Sequence, residues 1–168
     1  MRQVELLLLL LPLPFLMALA GGNEHPVPTQ IQACIESVEL KSYKIDFRVN
    51  PFYLRGDFDG DGKPDMAVMV LGPHSKSTGL AICQGNGKRF VLGAGSQPPF
   101  SNKRDDNFLS SDWEAVTANA FRKLLYDQKL GALAKGEVIV LNWEDGSGYI
   151  YWDGSRYCWF EEAPGGNH

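Results

Sequence analysis

The chain has 168 residues, with 20 acidic and 16 basic side chains and a formal net charge of −4. No Lys or Arg cluster is present, so nucleic acid and anionic membrane surfaces, both held through concentrated positive charge, are excluded as expected partners. A chain of this length fills one hydrophobic core and would struggle to fill two.

At the N-terminus, Arg2 precedes an apolar run over 6–19, broken by Pro12 and Pro14, that ends in Ala18-Leu19-Ala20. This pattern predicts a signal peptide over 1–20 and hence a secreted or periplasmic protein with no membrane attachment after cleavage. The run is too short and too interrupted to cross about 30 Å of hydrocarbon. Residues 21–29 read as a flexible lead, 30–162 as a single globular domain and 163–168 as a disordered tail.

Within the domain, Ile31, Cys34, Ile35 and Val38 fall at helical spacing and predict an amphipathic helix over 30–40. Ile45, Phe47 and Val49 alternate with Asp46, Arg48 and Asn50, which predicts a strand with one wet face. Apolar runs at 52–55 and 66–71 flank an acidic loop, and the second is continuous enough to be central in a sheet. Segments 79–83 and 89–92 form a hairpin through Gln84-Gly85-Asn86-Gly87-Lys88, and 93–107 reads as a long surface loop. Ser110 or Ser111, with Glu114 behind, predicts a helix that carries Trp113, Val116, Ala120, Phe121, Leu124 and Leu125 on one face. Strands over 138–143, 149–152 and 156–160 close the domain, the last two joined by Asp153-Gly154-Ser155. The expected fold is α+β: a mostly antiparallel sheet, about two helices and one acidic strand-loop-strand hairpin. Cys34, Cys83 and Cys158 allow one disulfide and one free thiol in an oxidising compartment, and their spacing leaves the pairing open.

The acidic loop reads Gly56-Asp57-Phe58-Asp59-Gly60-Asp61-Gly62-Lys63-Pro64-Asp65. Alternating carboxylates in a tight turn suit a hard cation, since calcium takes about six to eight oxygens, and Lys63 can add its backbone carbonyl. Gly62 permits the sharp bend. The loop departs from an EF-hand, because Val68 stands where the bidentate Glu would be and the following segment is strand-like. These residues, followed by Met66-Ala67-Val68, resemble the calcium loop of FG-GAP and VCBS repeats. The resemblance implies calcium ligands at Asp57, Asp59, Asp61 and Asp65 through side chains and at Lys63 through its carbonyl. The motif occurs once, so a propeller of repeated blades is not expected. A wider similarity, through segments 79–83, 91–95 and 149–157, is to small secreted bacterial proteins with a single such loop, and it implies no activity.

No catalytic constellation stands out. His25, His74 and His168 are poorly placed for a general base, and His74 with Ser75 and Ser77 lacks the separation a nucleophile pair needs. Gly85-Asn86-Gly87 and Gly93-Ala94-Gly95 open no helix that would bind phosphate. Alternation places Tyr149 and Tyr151 on one face beside Tyr157 and Trp159 in the partner strand; such aromatics are core, or, if exposed, a sugar or peptide platform. The expected function is a monomeric calcium-binding module with a structural or binding role toward a protein or glycan, and not an enzyme. The rivals are an envelope-polymer hydrolase, with its acids among Asp105, Asp106, Asp112, Glu114, Glu144 and Asp145, and an inhibitor or assembly factor for another secreted protein.

Overall fold

The structure is a computed structural model that describes residues 26–74, 77–96, 108, 112–124 and 133–161. The signal peptide, most of the lead, the greater part of the long loop and the tail therefore lie outside the described residues, as do His25, Ser75, Asp105, Asp106, Ser110, Ser111, Leu125 and His168.

Chain order is α1 (Thr29–Ile35), β1 (Lys44–Ile45), β2 (Tyr53–Gly56), β3 (Asp65–Leu71), β4 (Thr78–Cys83), β5 (Arg89–Gly93), β6 (Asp112–Val116), α2 (Ala118–Leu124), β7 (Lys135–Trp143), β8 (Gly146–Trp152) and β9 (Tyr157–Glu161). The fold is α+β with antiparallel pairing throughout the described strands, as expected, but the strands divide between two sheets. The first runs β1-β3-β4-β5, with β2 also paired to β3, and the second runs β6-β7-β8-β9.

Alternation along the strands then sets four layers. Ala67, Met69, Leu80, Ile82 and Leu92 from the first sheet meet Trp113, Ile139, Leu141, Ile150 and Trp159 from the second in one buried cluster. On the outer face of the first sheet, Val68, Val70, Ala81 and Cys83 pack with Ile31 and Cys34 of α1. On the outer face of the second, Val138, Val140, Tyr149 and Tyr151 pack with Phe121 of α2. Both faces of the central strands are thus covered, which is why β3 and β4 read as unbroken apolar runs. Tyr149 pairs with Phe160 and Tyr151 with Cys158, so Tyr157 and Trp159 point the other way, into the core between the sheets. All four aromatics are buried and form no exposed platform.

Three local expectations are corrected. The helix expected from Ser111 begins only at Ala118, because Trp113 alternates with exposed Asp112 and Glu114 and residues 112–116 pair with β7. Thr117 caps that helix, its hydroxyl accepting the Ala120 amide at 3.2 Å. Trp113 is fully buried and donates its indole N–H to the Pro51 carbonyl, an anchor a surface helix would not provide. The first helix stops at Ile35, and the turns that follow bury Leu40 and leave Val38 79% exposed. The strand expected over 45–49 ends at Ile45 with its faces reversed. Asp46 is buried and accepts the Arg48 amide and guanidinium at 2.7–3.1 Å, whereas Phe47 is 42% exposed. A carboxylate that finds charge-assisted partners two residues away bends the chain out of the ladder.

Cys34 of α1 is bonded to Cys83 of β4 and Cys158 is free. The bridge joins residues 49 apart and, by restricting the unfolded chain, is expected to stabilise by about 4 kcal/mol at most. Replacing both cysteines by Ala should lower the melting temperature by roughly 10 °C in a thermal melt. An unchanged melt would show that α1 needs no crosslink to stay on its sheet.

Candidate metal centre

The loop between β2 and β3 begins where two strands end. Gly56 and Asp65 face each other as the last pair of the β2–β3 ladder, so residues 57–64 must close a short gap. Phe58 at the second loop position is fully buried in the core between the sheets, which pins the loop and turns its neighbours outward. Gly62 adopts φ +83°, the left-handed conformation that the bend requires.

Around this anchor, one oxygen each from Asp57, Asp59 and Asp61 lies within 4.8 Å of the others. Two unit charges at that separation repel by roughly 1 kcal/mol in bulk water and about 3 in a surface-like dielectric. Backbone amides offset part of this. Gly60 and Gly62 donate to the two oxygens of Asp57 at 2.9 and 3.0 Å, Asp61 donates to Asp59 at 3.1 Å, and Lys63 donates to Asp61 at 2.8 Å. The Lys63 ammonium is 3.7 Å from the Asp61 carboxylate and largely exposed. Each of these carboxylate oxygens still has a second lone pair, so an all-oxygen donor set suited to a hard cation is present.

Asp65 stands apart from this group. It is fully buried, accepts the Phe58 amide at 2.8 Å on one oxygen and the Gly85 amide at 2.7 Å on the other, and so fastens the loop from beneath. Burial pushes its carboxyl above the usual range, and the nearby charge of Asp59 pushes the same way, against the amide hydrogen bonds that favour the anion. Of the five residues singled out in the sequence, the geometry brings three carboxylates together, sets Lys63 beside them and gives Asp65 the position of a loop lock.

Two attachments tie the loop to the rest of the molecule, and neither is among the site residues read from the sequence. The Asp57 amide donates to the Glu137 carboxylate at 2.8 Å, and the Glu137 amide donates to the Asp57 carbonyl at 2.7 Å, so one residue of β7 clamps the loop from the second sheet. Gly136 makes this approach possible. It sits at φ +73° where the β7–β8 register shifts, and a Cβ there would collide with the Asp57 carbonyl oxygen and come within 2.6 Å of the Gly60 nitrogen. An isolated Gly within a strand pattern is the signal that marks such a contact. On the other side, Asn86 of the β4–β5 turn donates to Asp59 at 2.9 Å and to the Gln84 side chain at 3.2 Å. Gln84 in turn donates to the Tyr157 hydroxyl at 3.1 Å, a buried link back to the second sheet.

Among the described residues the remaining acids show no comparable assembly. Asp112 and Glu114 are exposed along β6, and Glu144 and Asp145 are exposed in the turn between β7 and β8. His74 is exposed in the loop after β3. No described helix is long and apolar enough to cross a membrane. Compared with protein families, curated proteins and solved structures, the chain matches none.

Gly136→Ala should destabilise the fold by about 2 kcal/mol or more, combining a strained φ with the collision at Asp57. Chemical denaturation of the variant checks this, and a loss below about 0.5 kcal/mol would mean the loop can leave β7 without cost.

Proposed function

We propose that this chain is a calcium-binding module of the FG-GAP/VCBS type in single copy, exported from the cytoplasm and acting as a structural or binding unit rather than a catalyst. The observation that carries the reading is the convergence of the Asp57, Asp59 and Asp61 carboxylates on a loop attached to both sheets. A divalent cation there relieves three mutual repulsions at once, and because the loop is fixed at both flanks the relief is transmitted to the packing of the sheets. Asp57, Asp59 and Asp61 would hold the ion, with the Lys63 carbonyl as a further oxygen, while Asp65 keeps the loop closed beneath it. The ion's role is structural in this reading: it supplies charge balance and rigidity. The sequence supports export through the pattern at 1–20 and the presence of a disulfide.

Calorimetric titration of the purified protein with calcium, beside an Asp59→Ala/Asp61→Ala variant, tests the proposal. The native protein should bind saturably, and at free calcium about 100-fold above its Kd should gain about 2.7 kcal/mol and roughly 5–10 °C in melting temperature. The variant should show neither effect. Absence of saturable binding at millimolar calcium would overturn the assignment.

A further inference from the structure

A second feature lies on the outer face of the first sheet and is independent of the acidic loop's ligand. Arg55 of β2 pairs with Met66 of β3, Met66 with Cys83 of β4, and Cys83 with Arg89 of β5. Directly opposed residues in antiparallel ladders project to the same face, so these four form one row with a cation at each end and an apolar pair between. Three strand spacings set the outer backbones about 14 Å apart, a gap that two arginine side chains can span from either side. Helix α1 packs on this face through Ile31 and through Cys34, whose disulfide seats it on Cys83 of the row, and Pro28 and Gln30 join Arg55, Met66, Cys83 and Arg89 in lining an open cavity of about 510 Å³.

The cavity's charge is one-sided. Arg55 and Arg89 both line it, together with Tyr53, Met66, Gln84 and others, and no Asp or Glu does. Among the described residues, Arg55 makes no hydrogen bond or ion pair. Arg89 donates one guanidinium nitrogen to the carbonyls of Gln84 and Lys88, at 3.3 and 3.0 Å, which fixes the group in place with neutral partners only. Its Nε is buried and has no acceptor. In an acidic protein, two guanidiniums on one cavity wall meet no carboxylate, Arg55 being exposed and Arg89 held on two carbonyls, and their remaining N–H groups suit an oxyanion. The volume falls within the range of small-molecule sites.

We propose that this cavity binds a small organic anion, whose carboxylate or phosphate oxygens pair with Arg55 and Arg89 and whose apolar body lies against Met66 and Cys83. Tyr53 lines the same cavity.

The test titrates the purified, disulfide-bonded protein in calcium-free, low-salt buffer with adipate, its neutral diamide adipamide, and inorganic phosphate. Calorimetry is run beside amide chemical shifts. Adipate or phosphate should saturate and shift the amides of 84–89 and Arg55, while adipamide should do neither. Arg55→Gln and Arg89→Gln should each weaken binding by about tenfold or more, and Arg55→Gln, which gives up no hydrogen bond within the protein, should do so with the melting temperature unchanged. Tighter adipate assigns the site to organic acids, and tighter phosphate assigns it to phosphate-bearing ligands. Failure of both anions to saturate below about 10 mM, or binding that survives both substitutions or is shared by adipamide, would overturn the proposal.

Discussion

The reciprocal pair of hydrogen bonds between Asp57 and Glu137 is the constraint on which the rest of this structure depends. Asp57 leaves the first sheet, Glu137 enters the second, and each backbone is satisfied by the other residue. Two stacked sheets held only by apolar contact can slide, because the hydrophobic effect is not directional. A pair of short hydrogen bonds at one rim fixes their relative position, and Phe58, inserted between the sheets one residue later, makes that position the one in which the core closes.

The same clamp explains why acidic charge can be concentrated where it is. Asp57, Asp59 and Asp61 would separate if the loop were free, since exposed carboxylates relax away from one another at little cost. Here the loop is fastened to β7 by Glu137, to the β4–β5 turn by Asn86 and Gly85, and to its own floor by Asp65. A cation held among the three carboxylates would therefore act on contacts that reach both sheets. The hydrogen-bond chain that starts at the surface with Asp59 and Asn86 and passes through Gln84 to the buried Tyr157 gives the loop a second route into the core. Gln84 also lines the cavity bounded by Arg55 and Arg89, so the acidic loop and the basic cavity share one turn.

Much of the fold was legible because two signals agreed. The hairpin at 84–88 combined strand-like flanks with Gly and Asn, and the central position of β3 followed from its unbroken apolar run. The segment around Trp113 misled because Trp113, Val116 and Phe121 suit a helical face as well as a strand followed by a helix, and pairing with β7 decides between them. Asp46 misled for another reason: period-two alternation assumes polar residues face water, and this one is buried on Arg48. For the candidate site, the three clustered carboxylates were visible in their spacing, whereas the locking role of Asp65 was not, because its partners come from the loop start and from a turn 20 residues away. Glu137 and the pairing of Cys34 with Cys83 depend on separations of 80 and 49 residues, which no local pattern encodes.

The most direct measurement of the central claim is amide hydrogen exchange with and without calcium, read residue by residue. If the loop joins the two sheets and a cation tightens that joint, saturating calcium will slow exchange at Gly60, Gly62 and Lys63 and also at Gly85 and Glu137 outside the loop. Slowing confined to the loop amides, with Gly85 and Glu137 unchanged, would contradict the coupling, and no change at any of these amides would contradict the cation as well.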